Sequence, residues 1–141
     1  MRLLWPGKLG FLDGAPAVGL LFLRLIAGIG MVLHGQGKIQ TPFNWMGPDA
    51  PVPGILQALA ALSEVGGGLA LIFGFLTPLA CLGIMSTMFV AALKHIQEGG
   101  SFIGKGSYEL PALYFVIALT LLLTGPGVLS LDKALFGRKR R

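Results

Sequence analysis

The feature that most constrains this chain is a charged residue inside a long apolar segment, Arg24 within residues 20–38. A charge at the centre of a membrane helix is costly, so such residues usually face a protein interior and pair with another polar group. Glu64 lies midway along the next apolar segment. We therefore expect Arg24 to pair with Glu64 across two membrane helices, with protonation of Glu64 as the alternative.

The composition predicts a membrane protein with one domain, residues 1–141. Hydrophobic residues make up 54% of the chain and charged residues 12%, and the mean hydropathy is +0.77. Soluble domains usually carry about 25% charged residues. The net charge of +5 comes mainly from the two ends of the chain, which is typical of a topology signal and not of a nucleic-acid surface.

Four apolar segments predict an all-α fold, an antiparallel four-transmembrane-helix bundle with a polar interior. The expected spans cover about 16–36, 54–75, 77–96 and 108–124. No Ala-x-Ala-like cleavage site follows the first segment, so we expect it to be retained as a span. Residues 1–15, with Trp5, are expected to lie at the interface. Residues 37–53 are rich in Pro and Gly, and either a loop or a short re-entrant piece is compatible with them.

Helical periodicity separates a small-residue face from a bulky face in each of the first two segments. On the Arg24 side of the first lie Ala17, Leu20, Ala27, Gly28, Met31, Gly35 and Lys38. The opposite side carries Phe22, Ile26, Ile29 and Leu33. On the Glu64 side of the second lie Gln57, Ala60, Ala61, Gly67, Gly68 and Leu71. Small residues let helices approach closely, so these faces should turn inward and the bulky ones should face lipid.

The distribution of Lys and Arg predicts the orientation. Seven basic residues lie on the side that holds both ends of the chain, against Lys38, Lys94 and Lys105 on the other side. Because positive residues gather in the cytoplasm, both termini should be cytoplasmic. His34, Lys38, Lys94, His95 and Glu109 should then lie together towards the extracytoplasmic face.

These polar side chains form the candidate site, together with apolar neighbours. Glu64, His34 and Glu109 are candidate acid–base groups, and Arg24, Lys38 and His95 are candidate polar contacts. Met31 and Met88 would line an apolar slot. The alternative is that these residues are purely structural. The Arg24–Glu64 pair would fix helix register, the histidines at the rim would bond to backbone, and the methionines would fill the core. No spaced metal-ligand motif is present, and the single cysteine, Cys81, excludes a disulfide within the chain.

The same residues resemble the DoxX family (DoxX/DoxD-like) of small bacterial integral membrane proteins. The resemblance covers about 16–135. The motifs that carry it are Arg24 followed by His34-Gly35-x-x-Lys38, then Glu64-x-Gly66-Gly67, Gly74-Phe75-x-Thr77, Tyr108-Glu109 and Gly125-Pro126-Gly127-x-x-Ser130-Leu131-Asp132. It implies a four-helix protein of the bacterial inner membrane. Some relatives are subunits of thiosulfate:quinone oxidoreductases, and others resemble partners of redox and detoxification systems.

Two hypotheses of function follow from the residues and the resemblance. The first is a quinone-interacting membrane component of an oxidoreductase system, with quinone bound by Arg24, Lys38, His95, Met31 and Met88. Its electrons would come from a donor outside this chain, since no flavin, haem or iron–sulfur ligation pattern is present. The alternative is a non-catalytic structural or assembly subunit that contacts partner subunits of a larger membrane complex. A small transporter is a weaker hypothesis, because no inverted repeat is evident.

Overall fold

A computed structural model describes residues 11–137 of the chain. Trp5 and the basic residues at 138–141, which entered the predicted lead-in and orientation, lie outside the described residues. The described chain is helical: α1 (Gly14–Gly35), a 3₁₀ turn (Lys38–Gln40), α2 (Gly54–Phe73), α3 (Thr77–Gln97), α4 (Glu109–Thr124) and α5 (Leu131–Phe136). The first four helices begin and end within two residues of the expected spans.

Among the described residues, three helices are long and apolar enough to cross a membrane: α1, α2 and α3. α4 has the same apolar character but only 16 residues. At 1.5 Å per residue it is about 24 Å long, somewhat shorter than the ~30 Å hydrocarbon core. The short α5 follows a turn at Gly125–Gly127 and returns against the bundle.

The helices pack in chain order, α1 on α2, α2 on α3 and α3 on α4, whereas α1 and α4 share a smaller contact. One core connects all four. Its buried members are Leu20, Ala27, Met31, Leu71, Ala80, Cys81, Ile84, Met88, Ala118 and Leu121. The first and last parts of the described chain meet at one end of the bundle, where the backbone N–H of Val128 donates to the carbonyl oxygen of Leu12.

Two glycines bring α1 and α2 into backbone contact. A Cβ atom added at Gly28 would lie 2.6 Å from the carbonyl oxygen of Gly68, and one added at Gly68 would lie 2.7 Å from that of Gly28. Neither helix can therefore carry a side chain at this crossing without moving its neighbour.

The predicted segregation of faces is confirmed on α1 and α2. The small-residue face of α1 is buried, and so are Gln57, Ala61, Glu64, Gly67, Gly68 and Leu71 of α2. The bulky residues of the opposite faces are exposed, Phe22 at 66% and Ile26 at 67% among them. An exposed surface of this composition is expected where lipid is the solvent.

The predicted pair between Arg24 and Glu64 does not form, although both side chains are buried in the bundle. The guanidinium of Arg24 donates to the backbone carbonyl oxygens of Leu71 and Leu129. Gly35, and not Arg24, is the residue of α1 that lies beside Glu64. Eleven residues separate Arg24 from Gly35, which amounts to about 16 Å along the helix.

The segment at 37–53 accompanies this displaced register. This segment does not join α1 to α2 directly but packs back along the first turns of α2. Trp45 Nε1 donates to the carbonyl oxygen of Gln57, and the Gln57 side chain accepts from Met46 N and donates to the carbonyl oxygen of Val52. α2 therefore extends beyond the end of α1, and Arg24 comes level with the α2–α3 turn.

A second buried carboxylate stabilises that turn. Asp132 of α5 accepts hydrogen bonds from the backbone N–H groups of Leu76 and Thr77, at 2.8 and 2.9 Å, and so caps the start of α3. Leu76 has a φ of 48°, an uncommon conformation for a residue with a side chain. The backbone N–H of Asp132 also donates to the carbonyl oxygen of Gly74 at 2.8 Å. α5 is thus fastened to the α2–α3 turn.

Candidate functional site

A cavity of about 210 Å³ lies at the end of the bundle opposite Arg24. Side chains of all four long helices and of both loops at that end line it. They are Met31, His34, Lys38, Glu64, Met88, Ala91, His95, Ser107, Leu110, Pro111 and Tyr114. Part of the lining is polar and can donate or accept hydrogen bonds or exchange protons. The rest is apolar surface of the kind that small-molecule sites usually present.

The strongest polar contact in this cavity joins Lys38 to Glu64. Lys38 Nζ donates to Glu64 Oε1 at 2.7 Å. The side chain of Glu64 is 1% exposed and that of Lys38 is 28% exposed. Lys38 Nζ also lies 4.6 Å from the ring centroid of Trp45, a cation–π contact. Glu64 is therefore compensated by Lys38, a partner that the sequence reasoning did not consider for it.

The path of the chain after α1 brings Lys38 to Glu64. A Cβ atom at Gly35 would lie 2.9 Å from Cβ of Glu64, so the glycine lets the end of α1 rest directly on α2. The 3₁₀ turn that begins at Lys38 then places its side chain beside the carboxylate. Hydrogen bonds between the Gln57 side chain and the backbone of Met46 and Val52 hold the rest of the loop against α2.

His34 and Tyr114 connect α1 to α4 at the edge of the cavity. Their rings meet edge to face, with centroids 5.8 Å apart and planes at 86°. The Tyr114 hydroxyl lies over Gly30, where a Cβ atom would come within 3 Å of it. His34 is exposed and Tyr114 is half-buried. This ring pair belongs to the small contact that α1 and α4 share.

The structure brings together six of the eight predicted site residues. Met31, His34, Lys38, Glu64, Met88 and His95 all line the cavity. Glu109 begins α4 next to the cavity without lining it, and its backbone N–H donates to Ser107 Oγ. Arg24 lies at the other end of the bundle, bonded to backbone carbonyl groups.

Sequence reasoning missed several residues of the site. Tyr114 and Ser107 line the cavity, Trp45 contacts Lys38, and Gln57 holds the loop. Gln57 lies on the predicted inward face of its helix, and this position was the signal that could have identified it. An aromatic residue in a loop between spans is typical of an interface anchor, so the sequence contained no indication that Trp45 contacts Lys38. The sequence carried no comparable signal for Ser107 or Tyr114.

Comparison with known proteins identifies the family. A family model described as DoxX matches residues 19–96. The chain is 36% identical to "Inner membrane protein YqjF" of Escherichia coli K12, over 84% of this chain and 92% of that protein. It is 27% identical to "Putative oxidoreductase CatD" of Bacillus subtilis 168, over 87% of this chain and 91% of that protein.

A further relative is "Inner membrane protein YphA" of Escherichia coli K12, 27% identical over 82% of this chain and 84% of that protein. No solved structure matches the chain. The family match, the relatives named as inner membrane proteins and the three long apolar helices agree with one another. The chain belongs to the DoxX family and is a multi-pass protein of the inner membrane.

Proposed function

We propose that this protein is a quinone-interacting membrane component of an oxidoreductase system. The observation that carries the proposal is the cavity, in which an ion pair, two histidines and a tyrosine meet apolar side chains from all four long helices. The family relative named as an oxidoreductase supports the redox assignment.

The chemistry of the cavity suits a quinone ring. A ring of this kind needs polar groups at its two oxygens and apolar contact on its faces. Lys38, His34, His95 and Tyr114 supply donors, and Met31 and Met88 supply apolar surface. The quinone headgroup would enter from the bilayer between α1 and α4, at the edge formed by His34 and Tyr114. These two helices share a smaller contact than the helix pairs that follow each other in the chain.

The proposed roles of the acid–base residues follow from their positions. Glu64 and His34 exchange protons with the ring oxygens, and Glu109, beside the cavity, relays protons to the surface. Electrons come from a donor outside this chain. Arg24 takes no part in binding and stabilises the opposite end of the bundle.

We propose, in addition, that α4 crosses the membrane as the fourth span and that both termini are cytoplasmic. The antiparallel packing of α4 on α3 supports the crossing. The excess of Lys and Arg on the side of the two ends supports the orientation. The cavity then opens near the extracytoplasmic face.

Quinone retention tests the function. The protein is purified from native membranes in mild detergent, and extracted quinone, its oxidised and reduced forms counted together, is measured by chromatography per mole of protein. We expect quinone in the wild type and at least a severalfold loss in Glu64→Gln and His34→Ala. Ser63→Ala is the matched control, because Ser63 precedes Glu64 but faces α3 at Gly83, outside the cavity.

Unchanged quinone content in both Glu64→Gln and His34→Ala would overturn the site assignment. Absence of quinone from the wild type, together with stable co-purification of a large assembly, would instead favour the non-catalytic subunit.

A further inference from the structure

One oxygen of the buried carboxylate lacks a donor. Glu64 Oε1 accepts a hydrogen bond from Lys38, whereas Oε2 is buried and has no hydrogen-bond partner within residues 11–137. An ionised carboxylate can only accept hydrogen bonds. Leaving such an acceptor buried and unpaired is costly, so a molecule that brings an O–H or N–H group to it is favoured over one that does not.

The cavity has room for a ring that brings such a group. A cavity of about 150 Å³ holds a benzene molecule, and this one measures about 210 Å³. It is therefore large enough for a six-membered ring with small polar substituents. His34, His95 and Tyr114 lie around the same space as Glu64, so a second polar substituent on the ring would also meet a partner.

We propose that the cavity selects the reduced headgroup, a 1,4-dihydroxybenzene, over the oxidised quinone. This inference rests on the proposed quinone site and specifies its ligand. A hydroxyl group of the reduced ring donates to Glu64 Oε2. A quinone carries carbonyl acceptors only, and these would face a carboxylate oxygen with no proton between them. A site that hydrogen-bonds a ligand hydroxyl discriminates strongly against analogues that lack it.

A series of ligands with the same ring tests the selection on the wild-type protein, with oxygen excluded so that hydroquinone stays reduced. Hydroquinone has two O–H donors, 4-methoxyphenol has one and 1,4-dimethoxybenzene has none, and all three share one ring. Binding is measured by isothermal titration calorimetry on the purified protein in detergent. We expect hydroquinone to bind at least about tenfold more tightly than 1,4-dimethoxybenzene, the discrimination that a charge-assisted hydrogen bond provides, with 4-methoxyphenol between them.

Glu64→Gln should reduce this ratio severalfold, because an amide at residue 64 offers both a donor and an acceptor. Ser63→Ala should preserve it. The ligand series on the wild type remains decisive if the Glu64 variant does not fold.

Equal affinity for the three ligands, or no binding of any, would overturn the selection. The quinone-retention experiment is independent of this outcome. Retained quinone with equal affinity for the series would leave the proposed function intact and remove only the preference for the reduced ring.

Discussion

At the scale of single residues, buried charges are compensated locally. Arg24 bonds to backbone carbonyl groups at one end of the bundle, and Glu64 pairs with Lys38 at the other. Asp132 accepts from two backbone N–H groups at the start of α3. A charge without a partner is costly in a protein interior, so removing one partner of a buried pair destabilises the protein.

Asp132→Ala should destabilise the protein through α3 and the Arg24 end of the bundle. The change leaves two backbone N–H groups, those of Leu76 and Thr77, without their acceptor. Hydrogen bonds to a charged group contribute about 1.5–3 kcal/mol each, so we expect a clear fall in the thermal unfolding midpoint in detergent. Asp49→Ala, at an exposed loop position, is the control. Equal midpoints for the two variants would contradict this role of Asp132.

The faces of α1 and α2 were predictable from the sequence, and the partners of their charges were not. Periodicity assigns a residue to a face, and the buried set on α1 agrees with that assignment. It does not determine how far one helix slides along another. That displacement places Lys38, and not Arg24, beside Glu64, and Gln57 and Trp45 hold the intervening loop to α2.

At the scale of helices, the close packing of α1 on α2 determines where the polar side chains at the two ends of the bundle lie. The crossing at Gly28 and Gly68 sets the distance between the two helices, and Gly35 lets Lys38 approach Glu64. The cavity therefore depends on glycines that do not line it.

Gly28→Ala should loosen this helix pair. The added methyl group would lie 2.6 Å from the carbonyl oxygen of Gly68, a backbone atom that cannot move alone. Overpacking of this kind costs about 1–3 kcal/mol, which should appear as a lower unfolding midpoint. Gly19→Ala is the matched control on the same helix, where a Cβ atom would meet nothing within 4 Å. A Gly28 variant as stable as the Gly19 variant would show that the helices do not meet as described.

At the scale of the whole molecule, the two ends of the bundle differ in chemistry. The Arg24 end is closed by backbone hydrogen bonds and α5, whereas the Lys38–Glu64 end contains the polar cavity. A larger groove of about 420 Å³ lies between α2 and α3, lined by apolar and small residues that include Leu76, Leu79 and Gly83. Its lining has no ionisable side chain, so we assign it no part in quinone chemistry.

The proposed orientation predicts which loops are accessible from outside the cell. Lys105→Cys lies in the exposed loop between α3 and α4, and Ala134→Cys lies on the exposed side of α5 at the other end. A membrane-impermeant maleimide added to spheroplasts should label residue 105 and not residue 134. The native Cys81 is fully buried and should stay unlabelled. Labelling of residue 134 alone would reverse the orientation.

Photo-crosslinking with a 1,4-dihydroxybenzene that carries a diazirine tests the central claim most directly, because it reports where the ring binds in the folded protein. We predict labelling, displaced by excess hydroquinone, on peptides that contain residues 31–38 and 107–114, and a severalfold loss of this labelling in Glu64→Gln. Displaceable labelling confined to residues 75–83, which line the apolar groove, or to the surroundings of Arg24 would contradict the account.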